Sequence, residues 1–187
     1  CMRWRPLMLR YRRPQSLGCL GAAIAACLFG AAALAETKAI LSAASAVIKD
    51  TAYPVLITID QIGHPKARVV EAFPPDSAYV VWVATKPVTR KVQEIRAHPR
   101  VTLHYFNEAS RSYVSIMGKA SLVEDTAIKA AMRRDSDSDK LYPNFPEDYL
   151  LIRVDPIRLE GILPGFRGDP DTWEPVGVDF PIEALVP

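Results

Sequence analysis

The residues best suited to chemistry are hydroxyls and cations gathered in one short stretch, residues 85–91. Thr85 ends an apolar run, Thr89 stands where a helix is predicted to begin, and Arg90 and Lys91 follow it. Backbone N–H groups at a helix N-terminus attract anions, and Arg and Lys bind phosphate oxygens through charge-assisted hydrogen bonds. Arg68 lies on a preceding predicted strand, from which its side chain could reach the same place. This grouping indicates a phosphate site, although charge pattern alone favours an ordinary solvated helix start.

Other groups that could do chemistry give weaker signals. His64, His98 and His104 lack the spacing of zinc ligands. The sequence contains no G-x-S-x-G elbow and no glycine-rich phosphate loop. Residues 135–139 alternate Asp and Ser like the start of a calcium loop, but Lys140 replaces the required Gly and the closing Glu is missing. We therefore expect a solvated acidic turn there and no metal site.

Strands must position most of the remaining residues. Short runs of strand character at 55–59, 66–73, 78–84, 101–105, 113–123, 149–154 and 157–163 predict six or seven strands, the last two separated by Asp155-Pro156. In the first, Val55, Ile57 and Ile59 alternate with polar Thr58 and Asp60, which predicts a half-buried strand with its apolar side inward. Gly118, in the middle of a strand, predicts a bulge or a close approach.

Two or three short helices complete the prediction, over 37–50, 89–98 and 125–134. In the middle one, Val92 and Ile95 form the apolar face, and Lys91, Glu94 and Arg96 are expected outside. Most links between strands are too short for helical crossovers, so an α+β, mainly antiparallel barrel is favoured. Trp82 and Tyr105 are expected in its core. The region from about 164 is turn-rich, and Trp173 is expected to anchor it on the barrel.

Residues 1–35 form a separate region by composition. They contain five Arg, no Lys, Asp or Glu, and an apolar run that ends in Ala33-Leu34-Ala35. This pattern is typical of a secretory signal peptide, with an uncleaved membrane anchor or a lipoprotein site at Cys27 as the less favoured alternatives. Arg12-Arg13 leaves a twin-arginine export route open. We therefore expect a periplasmic domain over residues 36–187.

Cleavage would change both the charge and the thiol content of the chain. Losing five Arg takes the formal charge from +2 to −3, which removes any general basic footprint for nucleic acid. All three cysteines, at positions 1, 19 and 27, lie in the leader. Thiol catalysis and disulfides are therefore excluded from the mature domain, and no stable membrane anchor would remain.

Five ordered motifs give the sequence a family resemblance, which covers about residues 42–163. In order they are Arg68-Val69-Val70, Val83-Ala84-Thr85, Thr89-Arg90-Lys91, Pro99-Arg100-Val101 and Gly118-Lys119-Ala120. Together they resemble the pyridoxamine 5′-phosphate oxidase-like family of FMN-binding split barrels, in particular its general-stress-protein-like and exported branches. The resemblance implies a split β-barrel that binds FMN, acts as an oxidoreductase and forms a homodimer with flavins at the subunit interface.

The resemblance also implies a set of cofactor-binding residues. Arg68, Arg90 and Lys91 would hold the FMN phosphate, and hydroxyls of the 85–89 turn would add contacts. Backbone of the segment 69–71 would run beside the isoalloxazine ring, and a residue near the start of the Gly118 strand would touch the flavin. The full set of implied cofactor-binding residues is Arg68, Val69, Val70, Glu71, Thr85, Thr89, Arg90, Lys91 and Tyr113.

Two departures from the oxidase itself bear on the substrate. Phe73 stands where the oxidase has a Lys for the substrate phosphate, and the C-terminal Arg-x-His pair is missing. Pyridoxamine phosphate is therefore not the expected substrate, and the substrate, electron donor and catalytic residues stay unassigned. The alternative hypothesis is a barrel that binds flavin, deazaflavin, haem or another tetrapyrrole without turnover, as a carrier or sensor.

Overall fold

The computed structural model describes residues 18–181, and the chain divides after Glu36 into two compact units. The basic residues of the leader, including Arg12-Arg13, lie outside the described residues. Within them, no helix combines the length and apolar character needed to cross a membrane. The helices are α1 (Gly18–Lys49), α2 (Arg90–Ala97) and α3 (Thr126–Met132). The strands are β1 (Val55–Ile59), β2 (Pro65–Val69), β3 (Val81–Thr85), β4 (Arg100–Asn107), β5 (Ser112–Val123), β6 (Leu150–Ile162) and β7 (Val176–Asp179).

The strands form one antiparallel sheet, which confirms the predicted α+β split barrel. Six strands follow the order β2-β1-β4-β5-β6-β3, and β7 pairs with the second half of β6. The end strands β2 and β3 do not pair with each other, so the sheet stays open. The segment after β2 is joined to β3 by one isolated bridge between Ala72 and Val83. Beside it, the Phe73 N–H donates a hydrogen bond to the Trp82 carbonyl oxygen, with an N···O distance of 2.8 Å. The strand predicted over 66–73 therefore ends at Val69, and its continuation spans the split.

The alternation along β1 is the reverse of the prediction. Leu56 and Thr58 are fully buried, whereas Val55, Ile57 and Ile59 are half-buried on the outer face. A polar Thr58 can be buried because its hydroxyl is hydrogen-bonded, as described below. The inward residues of β4, among them Leu103 and Tyr105, join a core that also includes Ala44 and Val47 of α1. Trp82 packs against a second, smaller cluster.

Gly118 marks an irregularity that lets two strands stay paired. The β5–β6 register shifts between Met117 and Gly118, where Ile157 of β6 has no partner. A Cβ at Gly118 would lie 2.5 Å from the Asp155 carbonyl oxygen, so only glycine fits. The predicted bulge and close approach are confirmed. The predicted break at Asp155-Pro156 is wrong, because β6 runs through Pro156, which faces Gly118 across the bulge.

Three other predictions are corrected. α1 begins at Gly18, well before residue 37, since the Ala- and Leu-rich run continues directly into the expected helix. The region after residue 164 contains β7, and Trp173 is 81% exposed and anchors nothing in the described part of the chain. Asp137 is buried, since its carboxylate accepts bonds from the Arg134 guanidinium and the Tyr149 hydroxyl; the acidic turn is thus not fully solvated. No cluster of metal-ligating side chains occurs within residues 18–181.

Candidate anion site beneath helix α2

The turn between β3 and α2 brings the predicted hydroxyls together. Thr85 is buried at the end of β3, and its Oγ1 lies 3.3 Å from that of Thr89. Thr89 occupies the N-cap position of α2, as predicted, but its hydroxyl turns back to donate to the Lys86 carbonyl oxygen. The first N–H groups of the helix therefore receive no side-chain cap from Thr89. Those N–H groups and the positive end of the helix favour an anion at this point.

The predicted cations converge on one carboxylate. The Arg68 Nη2 donates to Glu94 Oε2 at 2.7 Å, and the Arg90 Nε lies 3.2 Å from Glu94 Oε1. Thr58 completes the cluster: its hydroxyl donates to Glu94 Oε2 at 2.5 Å and accepts a bond from Arg68 Nη1. Arg68, on β2, and Arg90, on α2, are thus held at the same corner by β1 and the helix.

Glu94 is the member of this corner that the sequence pattern missed. Only 3% of its side chain is exposed, so the prediction that it lies on the outer face of α2 is wrong. Its Oε1 has an ionic neighbour in Arg90 but no hydrogen bond from the described residues. Its i,i+4 spacing from Arg90 was the available signal, since residues so spaced meet on one face of a helix. The fully buried Thr58 gave no such signal.

Lys91 lies at the same corner and is only partly exposed, against the expectation that it lies outside. Burial lowers the pKa of its ammonium, and the nearby positive charge of Arg68 lowers it further, with Glu94 acting in the opposite direction. No carboxylate of the described residues forms an ion pair with Lys91. A half-buried cation beside another cation is stabilised by an added anion.

The other predicted site residues do not join this cluster. Val69 is exposed, Val70 is buried, and the Glu71 side chain pairs with Arg134 and Ser136. Tyr113 lies on the outer sheet face with its ring 5.3 Å from that of His104. Tyr113 pairs with Phe106 on β4, whereas Ile57, the neighbour of Thr58, pairs with Thr102. Because Phe106 is four residues beyond Thr102, Tyr113 lies about 13 Å along the sheet from Ile57.

Comparison with known proteins decides the family. A family model described as pyridoxamine 5′-phosphate oxidase matches residues 40–161, which is more than half of the chain and spans the whole corner. The chain belongs to the pyridoxamine 5′-phosphate oxidase family. A search of curated protein sequences found no match.

Several solved structures share the fold of this chain. General stress protein 26 from Bacillus anthracis is 24% identical, with 64% of this chain and 91% of that chain covered and a TM-score of 0.54. A pyridoxamine 5′-phosphate oxidase-related, FMN-binding protein from Nostoc punctiforme is 16% identical, with 77% and 95% covered and a TM-score of 0.55. A heme-binding protein from Mycobacterium smegmatis is 15% identical, with 73% and 57% covered and a TM-score of 0.53. At these identities the likeness establishes the fold alone.

Proposed function

We propose that this protein is an exported, homodimeric FMN-binding oxidoreductase whose substrate is not pyridoxamine phosphate. One observation carries the proposal: Arg68, Arg90 and Lys91 meet at the start of α2 around the buried carboxylate of Glu94. Three positive charges and one negative charge leave a surplus of about two. A phosphate monoester carries about −1.5 to −2 charges at pH 7, so it matches that surplus.

The chain's own residues fit the phosphate end of FMN. Arg68 is oriented by Thr58 and Glu94, Lys91 lacks an anionic partner in the described region, and Thr85 and Thr89 offer hydroxyls beside the uncapped helix start. Bound FMN would supply hydride and electron transfer, for which no side chain need be a strong acid or base. We therefore assign these residues to cofactor binding and name no catalytic residue.

Phe73 argues against a phosphorylated pyridoxamine substrate. Its ring packs in the second core cluster, and the Arg134 guanidinium lies 4.0 Å from the ring centroid. Arg134 is already neutralised, because it pairs with Asp137 at 3.0 Å and with Glu71 at 3.3 Å. Phe73 and Arg134 therefore offer no free cation for a substrate phosphate in addition to the FMN phosphate, so a substrate that carries no phosphate is favoured.

The outer face of the sheet supports the homodimer. Val55, Ile57 and Met117 are half-buried there, and Val69 and Phe106 are more than half exposed. Cross-strand pairing places these apolar residues on one continuous face. Exposed apolar faces of this kind mark association sites, and a second copy would cover the same face by symmetry.

The dimer is tested by sedimentation of matched variants. Ile57→Asp is expected to convert the dimer into a monomer, because a charge would be buried at the interface. Leu141→Asp, at an exposed apolar residue outside this face, should stay dimeric. A monomeric wild-type domain, or an Ile57→Asp variant that stays dimeric, would contradict the assignment.

FMN binding is tested by titration of the purified domain, residues 36–187. The wild-type protein should be yellow, or become so on addition of FMN, with about one FMN per chain. Arg90→Ala should weaken FMN binding about 10- to 100-fold, the loss expected for a charged hydrogen bond. Arg96→Ala is the matched control, since Arg96 lies on the same helix and pairs with the exposed Glu124. Equal affinity of the wild type and Arg90→Ala would overturn the phosphate assignment.

Turnover separates an enzyme from a carrier. Reduction of the bound flavin by NADH, NADPH or a reduced deazaflavin faster than that of free FMN, with reoxidation by an added acceptor, would establish oxidoreductase activity. Bound FMN that none of these donors reduces would favour the carrier or sensor alternative. Tight haem binding in place of FMN would favour that alternative in its tetrapyrrole form.

Export is tested by cell fractionation of the full chain. We expect the mature protein in the periplasm with Glu36 as its first residue, as read by mass spectrometry. Replacing Arg12 and Arg13 with Lys should block export only if the twin-arginine route is used. Retention of an intact leader in the membrane fraction would favour the uncleaved anchor.

A further inference from the structure

His104 lies in the middle of the outer face of the sheet, the face that the proposed homodimer covers. Inward and outward residues alternate along β4, and His104 is one of the half-buried outward residues. Its cross-strand neighbours are Val55 of β1 and Ser115 of β5. Phe106, the next outward residue of β4, is 54% exposed, and the Tyr113 ring centroid lies 5.3 Å from that of His104. An ionisable imidazole therefore lies within a mainly apolar and aromatic patch.

The imidazole has a hydrogen-bond partner but no counter-ion. Its Nδ1 lies 2.9 Å from Ser115 Oγ, and a hydroxyl can either donate to a ring nitrogen or accept from one. No carboxylate of the described residues forms an ion pair with His104. Burial lowers the pKa of His104. The surroundings within one chain therefore favour the neutral ring over the imidazolium.

The charged groups on the β6 side of His104 are already paired with one another. Glu160 of β6 lies opposite Ser115, so it is two strands, or about 10 Å, from His104. The Glu160 carboxylate lies 3.3 Å from Arg158, and Arg158 also binds Asp179 at 2.8 Å. Glu160 is thus neutralised by Arg158 and is too distant to serve as the counter-ion of His104.

The other neighbouring strands bring no negative charge to the ring. Arg100, on β4 itself, is four residues from His104, or about 13 Å, and Lys119 lies opposite Arg100 on β5. On β1 and β2 the same row of the sheet continues with Val55 and Val69. The two apolar side chains cannot stabilise a proton on the imidazole, and the two cations weakly oppose one.

We infer that protonation of His104 dissociates the homodimer. The inference rests on the proposed homodimer and adds a pH-sensitive group to its interface. A second copy that covers the outer face removes water from the imidazole. The neutral ring can be buried with its Ser115 hydrogen bond, whereas an imidazolium without a counter-ion loses its hydration. Two-fold symmetry buries the His104 of both chains, so both must be neutral in the dimer.

The direction of the effect follows from which state binds more protons. Burial in the interface disfavours the imidazolium further, so two separate chains take up protons that the dimer does not. The dimer is therefore stable above the pKa of His104 in the single chain and weakens as the pH falls through that pKa, which burial has already lowered from 6.5. Below it, the Kd of the dimer rises about 10-fold per pH unit for each imidazole, or up to about 100-fold for two.

Sedimentation of the purified domain, residues 36–187, at about pH 8 and about pH 5 tests this switch. The wild type should be dimeric at the higher pH, its dimer Kd should rise at least about 10-fold at the lower pH, and a return to the higher pH should restore the dimer. His104→Gln keeps a hydrogen-bonding side chain that stays neutral, so its Kd should not show this rise. His64→Gln is the control, because His64 is 66% exposed and lies beside Asp60; this variant should keep the wild-type response.

His104→Arg provides the opposite test, since it places a permanent charge at the same position. It should be monomeric at both pH values, with a near-UV circular dichroism spectrum that shows the folded domain. The inference is overturned, and the homodimer kept, if the wild-type Kd does not rise at the lower pH, if His104→Gln weakens as much as the wild type, or if His104→Arg is a dimer. A wild-type domain that is monomeric at about pH 8 overturns both.

Discussion

Replacing Glu94 by Gln should lower the stability of the FMN-free protein and raise its affinity for FMN. The substitution keeps the shape of the side chain and its oxygen acceptor but removes the single negative charge that Arg68 and Arg90 share. The two arginines and Lys91 then repel one another without compensation. Bound phosphate would supply the missing charge, so FMN and Glu94 compete for the same cations.

The buried position of Glu94 sets the magnitude. Breaking a buried ion pair costs about 3–5 kcal/mol, and the lower end applies because Gln still accepts hydrogen bonds from Arg68 and Thr58. About 3 kcal/mol corresponds to a fall in Tm of roughly 6–12 °C for a domain of this size. Two single negative charges about 8 Å apart would repel by about 2 kcal/mol at an effective dielectric constant of 20, so removing one from the site should tighten FMN binding roughly 30-fold.

Two measurements test this reasoning: Tm by differential scanning calorimetry without FMN, and Kd for FMN by fluorescence quenching. Glu124→Gln is the control, because it removes the same charge from an exposed ion pair in which Glu124 lies 3.6 Å from Arg96. That variant should change stability by less than about 1 kcal/mol and leave the Kd unchanged. Unchanged or weaker FMN binding by Glu94→Gln would refute the idea that the carboxylate and the phosphate share these cations.

Three other outcomes follow from the structure. FMN affinity should fall as the pH rises through the pKa of Lys91, which burial lowers from its ordinary 10.5, because the neutral amine no longer attracts phosphate. Lys91→Arg should abolish this fall in Kd titrations against pH, and an unchanged profile would exclude Lys91. Gly118→Ala should lower the free energy of unfolding in urea by about 1–3 kcal/mol, since its Cβ would lie 2.5 Å from the Asp155 carbonyl oxygen. Gly63→Asn, with open space around it, is the control and should cost less than about 1 kcal/mol. Trp173→Ala should change stability by less than about 0.5 kcal/mol, because the ring is exposed; a larger loss would mean that it packs on something outside the described residues.

The spacing of apolar residues predicted the strands and short helices up to residue 163 well, because that spacing is set by side chains that are close together in the sequence. Gly118 is an example: a glycine inside a strand indicates a bulge whichever partner faces it. Pattern failed where a distant partner decides burial. Thr58 and Glu94 are polar by type and were predicted outside or left unassigned, yet each is buried because the other satisfies it.

The end of the chain illustrates the same limit. β7 is only four residues long and contains Gly177, so its own sequence carries little strand signal. It forms because the second half of β6 offers an unpaired edge. In the candidate site, Arg68, Arg90 and Lys91 were predicted together from the order of motifs, whereas the carboxylate among them was not.

The open seam of the barrel gives the anion site a mechanical consequence. Arg68 lies on β2 and Thr85 on β3, the two end strands of the sheet, and the segment that follows β2 meets β3 at the Ala72–Val83 bridge. A nucleotide phosphate bound by residues of both strands would link the two edges of the sheet across the gap between them. The amides of β2 and of the 70–73 segment should then exchange with solvent deuterium more slowly when the phosphate is bound. The amides of the central β5–β6 ladder are already protected, so their exchange should not change.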